Sequence, residues 1–200
     1  MIAALSIRTA AVFLDRDGTL IRDVGYLQRV EQLEILPQVP AALRLLREHG
    51  FKLVMVTNQS AVARGWMSER DLSEIHGALG AGLARGGVQL DGVYYCPHHP
   101  TEGSGSYRMI CRCRKPNVGM IERASAELGL DPPTSYVVGD QRTDIELADR
   151  IGATAVLIRG EQAAPVDDFP GVPSVADLGQ AAHWIVKHKQ RGRRDGASIL

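Results

Sequence analysis

Apolar residues along this chain fall into two alternating patterns. Short unbroken runs rich in β-branched and aromatic residues occur at Ala10–Asp15, Phe51–Thr57, Val88–Tyr95, Ser135–Gly139 and Ala153–Ile158. Each has the length and composition of a buried strand. Between these runs the apolar positions step by three and four residues. Val39, Leu43 and Leu46 predict a helix over 39–49, with Gly50 as its stop. Ser68 predicts the cap of a second helix, with Asp71 three residues on, Leu72, Ile75, Leu79 and Leu83 along one face, and Gly86-Gly87 at its end. Asn117 predicts the cap of a third, whose apolar stripe is Met120, Ile121, Ala124 and Leu128 before Gly129. Further helices are expected at Thr143–Ile151 and Val175–Lys187. Arg22–Pro37 and Glu161–Pro173 lack a period and read as loops, the first as a flap carrying Gly25 and Tyr26. Strands alternating with helices of crossover length predict an α/β fold, a three-layer, Rossmann-like parallel sheet with helices on both faces. One domain is expected over residues 1–188, with the basic residues 189–200 as a frayed tail.

The polar residues that close the strands add chemistry to this outline. In a parallel sheet all carboxyl ends lie on one edge, which is where open α/β sheets bind ligands. Three predicted strands end there in polar groups: Asp15 and Asp17, then Thr57 and Asn58, then Gly139-Asp140. Two acids spaced i, i+2 before a glycine offer a metal ligand, a nucleophile and an acid/base in one small volume. Gly18 allows a sharp turn that brings N–H groups to the site. Singly, each motif is also an ordinary turn sequence; their shared edge is what carries weight.

Composition narrows the classes. Two hundred residues, 44% hydrophobic, suit one domain that buries roughly 70% of its unfolded surface. The 23 basic and 23 acidic residues cancel, which argues against nucleic acid as a partner. No apolar run reaches the roughly 20 residues that span a bilayer, so no membrane contact is expected. Met1–Ile7 shows no charged leader before an apolar core, so a cytoplasmic chain without an export signal is expected. All three cysteines lie between Cys96 and Cys113, in Cys96-Pro97-His98-His99-Pro100 and Cys111-Arg112-Cys113. Three thiols and one of two adjacent histidines make a closed four-ligand set, for which tetrahedral Zn²⁺ in a structural role is the natural occupant. Spacing alone does not choose between His98 and His99.

The ordered set Asp15-x-Asp17-Gly18-Thr19, Thr57, Lys115 and Gly139-Asp140-x-x-x-Asp144 resembles the haloacid-dehalogenase-like phosphatases, over Val12 to about Ile158. The resemblance implies Mg²⁺ held by Asp15, the Asp17 backbone carbonyl and Asp140. It implies Asp15 as nucleophile, Asp17 as acid and base, and Thr57 and Lys115 on the transferring phosphoryl group. Asp144 is expected behind them, orienting Lys115 or a metal-bound water. Within that superfamily, Phe13 to Leu20, Thr57 to Ser60, Ala63-Arg64-Gly65, the Cys/His set and Arg114-Lys115-Pro116 resemble the D-glycero-D-manno-heptose-1,7-bisphosphate 7-phosphatases. That family implies a capless, monomeric enzyme with a zinc-stabilised loop over 96–113, and it favours His98 as the fourth ligand. It implies removal of the 7-phosphate from a small sugar bisphosphate. The loop ends at Arg114-Lys115, so it would fix the angle of Lys115 and leave Arg114 for another part of the substrate. Substrate contacts are expected from Asp23, Tyr26, Asn58, Gln59, Ser60, Arg114 and Gln141; Gln141 and Arg142 stand where members often carry lysine. Two other readings are histidinol-phosphate phosphatase, whose cationic substrate would favour an acid at Arg114, and a zinc-stabilised binding module without activity.

Overall fold

The computed structural model describes residues 8–160 and 169–197. Met1–Ile7 and residues 161–168 of the expected Glu161–Pro173 loop lie outside the described residues. The elements run β1 (Ala11–Leu14), α1 (Val39–Glu48), β2 (Lys52–Asn58), α2 (Glu69–Arg85), β3 (Gly92–Cys96), α3 (Gly119–Leu128), β4 (Tyr136–Gly139), α4 (Arg142–Ile151), β5 (Thr154–Ile158), β6 (Ser174–Val175) and α5 (Leu178–Ala197). The strands form one parallel sheet in the order β3-β2-β1-β4-β5-β6. Among the described residues no helix is long and apolar enough to cross a membrane.

Side-chain alternation along the strands makes two cores. Val12 and Leu14 of β1, Leu53 and Met55 of β2 and Val138 of β4 face α1, α2 and α5, through Leu43, Leu46, Leu72, Ile75, Ala181 and Ile185. Ala11 and Phe13, Val54 and Val56, and Val137 face α3 and α4, through Met120, Ile121, Ala124, Leu147 and Ala148. Both sheet faces are therefore dry, which is why the strands read as unbroken apolar runs.

Ser68 and Asp71 form the expected reciprocal cap of α2. Four details differ from the sequence reading. Asn117 caps nothing: α3 starts after Val118, and the Asn117 side chain donates to the Cys111 carbonyl (2.8 Å). β3 begins at Gly92 rather than Val88, because the Val88 N–H returns to the Leu83 carbonyl to close α2. Ser174–Val175 is a sixth strand beside β5, and the last helix begins after it. That helix continues to Ala197 through the segment expected as a tail. Leu178, Ala181, Ala182 and Ile185 anchor its first half, and the Lys, Gln and Arg that follow are good helix formers.

Candidate active site

The carboxyl ends of β2, β1 and β4 are adjacent, so the polar strand ends meet. Asp15 follows β1, its N–H donating to the Val138 carbonyl of β4 (2.9 Å). Its Oδ1 lies 2.8 Å from Lys115 Nζ, which also donates to Asp144 Oδ1 at 2.7 Å. Lys115 and Asp144 are 3% and 2% exposed. Burial works against the charge on Lys115, but the carboxylates of Asp144 and Asp15 outweigh it and push the ammonium pKa up. Burial holds Asp144 above the usual carboxylate range although Lys115 pulls the other way.

Asp140 follows Gly139 at the end of β4 and faces the β1 turn. A Cβ on Gly18 would overlap Asp140 Oδ2, and Gly18 has φ +72°, so the close approach of turn and carboxylate requires glycine. Asp140 Oδ2 accepts from Gln141 Nε2 (3.1 Å), while Oδ1 is buried without a partner. Burial, then Asp15 and Asp144, raise the Asp140 pKa to about 7. Asp15, Asp140 and Asp144 each offer an oxygen, all within 4.8 Å of one another. Three buried carboxylates around one ammonium leave negative charge uncompensated, and hard oxygens with one unused suit a small divalent cation.

Asp17 lies on the other side of Asp15. Arg16, 1% exposed, donates to its carboxylate from Nε and Nη2 (3.0–3.2 Å). Gln59 Nε2 donates to Asp17 Oδ2 (2.9 Å) and to Thr57 Oγ1 (2.8 Å), linking the two strand ends. Burial raises the Asp17 pKa, and Asp15 adds to this while Arg16 opposes it. Arg16 also lies 3.4 Å from His76 Nε2. Arg16 carries no role in the motif as read from the sequence, because nothing in the spacing marks it as buried.

The Cys/His residues converge as a second cluster. Cys96, His98, Cys111 and Cys113 offer four donor atoms, all within 4.8 Å of one another. The sulfurs are 3.2–3.5 Å apart, far too long for disulfides, and His98 Nδ1 is 3.2 Å from Cys113 Sγ. His99 lies outside the cluster: its Nδ1 accepts the backbone N–H groups of Thr101 (3.3 Å) and Glu102 (2.9 Å).

The residues expected at the substrate divide. Tyr26, Asn58, Gln59 and Ser60 line a cavity of about 50 Å³ with Arg16 and Asp17. Asn58 also braces Lys115, because both polar atoms of its side chain engage the Lys115 backbone. Oδ1 accepts from Lys115 N–H (2.9 Å) and Nδ2 donates to the Lys115 carbonyl (3.2 Å). Asp23 accepts from Gly25 N–H (2.8 Å) at the exposed flap. Arg114 Nη1 donates to the His98 carbonyl (3.1 Å), and Gln141 stays against Asp140.

Comparison with known proteins fits this geometry. The HAD-hydrolase-like family model matches residues 112–181. The D-glycero-β-D-manno-heptose-1,7-bisphosphate 7-phosphatase of Haemophilus ducreyi is 46% identical over 151 residues, 74% of this chain and 82% of that protein. The protein of the same name from Yersinia pestis is 41% identical over 178 residues, 88% of this chain and 89% of that one. The solved D,D-heptose 1,7-bisphosphate phosphatase of B. bronchiseptica, complexed with magnesium and phosphate, superposes with a TM-score of 0.77 at 28% identity, covering 90% of this chain and 99% of its own. The chain belongs to the D-glycero-β-D-manno-heptose-1,7-bisphosphate 7-phosphatase family of haloacid-dehalogenase-like hydrolases.

Proposed function

We propose that the chain hydrolyses the 7-phosphate of D-glycero-β-D-manno-heptose 1,7-bisphosphate and leaves the 1-phosphate in place. The observation that carries this reading is the buried Asp15–Lys115–Asp144 chain beside Asp17 and Asp140 at one sheet edge. The relatives, which match 74% and 88% of this chain, support the β anomer.

Asp15 attacks phosphorus through a carboxylate oxygen, and the bond from phosphorus to the C7 oxygen breaks. Asp17 gives its proton to the leaving alkoxide; burial, which keeps its pKa raised, suits it to carry that proton. In the second step a water attacks the aspartyl-phosphate and Asp17 takes the water's proton. Inorganic phosphate leaves and Asp15 is restored. The Lys115 ammonium and the Thr57 hydroxyl compensate the charge on the transferring group. Asp144 acts through Lys115, holding its Nζ toward Asp15. Asn58 fixes the Lys115 backbone, and Arg16 and Gln59 fix the direction of the Asp17 carboxylate.

The Asp15 and Asp140 side chains and the Asp17 carbonyl would hold Mg²⁺, and the unpartnered Asp140 Oδ1 fits that role. When bound, the ion offsets the repulsion between a carboxylate nucleophile and a dianionic phosphate. Cys96, His98, Cys111 and Cys113 would hold Zn²⁺, which fixes the loop and does no chemistry.

Phosphate release with Mg²⁺, measured on both anomers of heptose 1,7-bisphosphate and on histidinol phosphate, tests the reading. The β-bisphosphate is expected to have the highest kcat/KM. A preference for histidinol phosphate would keep the mechanism and replace the substrate. No release from a folded, metal-loaded protein would remove the enzyme assignment.

A further inference from the structure

Arg64, between β2 and α2, is held in a way the catalytic cluster does not require. Its guanidinium lies 5.3 Å from the ring centroid of Tyr26 and 5.1 Å from that of Trp66. The two rings meet edge to face at 4.5 Å, and both are well exposed, at 41% and 47%. Contacts on ring faces fix a guanidinium without using its N–H donors. Nε is buried and donates to nothing. The acid that meets this guanidinium is Glu102, half exposed on the loop that carries the Cys/His cluster. A preformed guanidinium with a buried unused donor, facing an exposed and displaceable carboxylate, has the form of an anion site filled by an internal substitute.

Its position relates it to the reaction. Tyr26 touches Arg64 and also lines the cavity that holds Asp17 and Ser60. On the far side of Glu102 stands His99, its Nε2 3.9 Å from the Glu102 carboxylate. The two segments are tied together: Ser104 N–H donates to the Ala63 carbonyl (3.3 Å), and Tyr107 Oη donates to Glu69 (2.8 Å). A Cβ on Gly103, at φ +90°, would overlap the Ala63 carbonyl oxygen.

We infer that Arg64, clamped by Tyr26 and Trp66, binds the second phosphate of the substrate, the one that is not hydrolysed, in place of Glu102. The inference rests on the bisphosphate reading above. A planar guanidinium takes two phosphate oxygens at once, and a dianionic phosphate displaces a monoanionic carboxylate.

The test compares kcat/KM for heptose 1,7-bisphosphate with that for p-nitrophenyl phosphate, a monoester, with Mg²⁺ present. Arg64→Met should lower the ratio by roughly tenfold to hundredfold, the range for a lost hydrogen bond to a charged group. Arg64→Lys should restore part of it. Glu102→Gln, which removes the competing carboxylate, should raise it, so the two partners move the ratio in opposite directions. An ion pair that only braces the loop would make both variants lose activity alike on both substrates, with the ratio unchanged, and that overturns the inference. Should Arg64→Met not fold, Arg64→Lys and Glu102→Gln still decide the sign. A wild type with no preference for the bisphosphate overturns the substrate reading itself; a preference that survives Arg64→Met overturns only the role of Arg64.

Discussion

The two clusters of potential metal ligands are assembled by opposite routes. Asp15 and Asp140 follow different strands and Asp144 sits in the first turn of α4, so only the whole sheet brings them together. Cys96, His98, Cys111 and Cys113 belong to one continuous segment that leaves β3. The first set is hard oxygen with one acceptor unused beside a cavity, as a reacting site needs; the second is soft sulfur and imidazole closed on itself. Damage to the two clusters should therefore separate. At the sheet edge the scaffold does not depend on the ligands, so chemistry is lost and fold kept. In the loop the ligands are the scaffold, so stability is lost first and activity follows through Lys115.

Asp15→Asn should separate chemistry from fold most strongly. It should lower kcat by roughly 10⁴-fold or more with thermal stability unchanged or raised, since one of three crowded carboxylates loses its charge; wild-type-like turnover would remove Asp15 as nucleophile. Cys111→Ser should release the loop metal and lower Tm by about 5–10 °C, the shift expected for a loss of a few kcal/mol in a chain of this size. Metal content and calorimetry check this, and a metal-loaded variant as stable as the wild type would contradict the loop's dependence. Asn58→Ala should lower kcat roughly tenfold, because the Lys115 N–H loses its partner, while KM changes little. Asn58→Asp, which keeps the acceptor, should recover part, and an unchanged kcat would show that Lys115 needs no such clamp.

The smallest expected effect concerns pH. The Asp140 pKa is raised to about 7, so between its ordinary range and pH 7 the folded, metal-free protein binds a proton that the unfolded chain has lost. Its contribution to stability is present at the acid side and lost as pH rises through about 7. A divalent cation needs the deprotonated form. The Tm gain from adding Mg²⁺ should therefore be larger at pH 8 than at pH 6, and equal gains would place the cation elsewhere.

Much of this was legible because each strand is dry on both faces and ends in a polar residue. Apolar runs located β1, β2, β4 and β5, and their parallel order put the acids on one edge. β6 was not legible, because two residues carry no period. The course of α5 was misread because a run of charge looks like a solvated end, although lysine, glutamine and arginine favour helix. In the site, the polar strand ends pointed to Asp15, Asp17 and Asp140, and the family pattern added Lys115 and Asp144 and favoured His98. Side-chain direction was beyond that reading. Asn58 turns to the Lys115 backbone, and Arg16 goes into the interior to meet Asp17 and His76. Lys115 for Asn58 and His76 for Arg16 lie across the fold, and spacing along the chain does not encode that.

The order β3-β2-β1-β4-β5-β6 also governs timing. Asp15 follows β1, yet its partner Lys115 comes only after β3, and Asp140 and Asp144 only after α3. A nascent chain on the ribosome thus carries its nucleophile before the groups that would make it reactive. Non-local parallel pairing is intrinsically slow, so β4 docking against β1 acts as a commissioning step. Fragments that stop before β4 lack Asp140 and Asp144 and should bind no cation at the sheet edge, and hydrolytic activity should arise only once β4 has docked against β1.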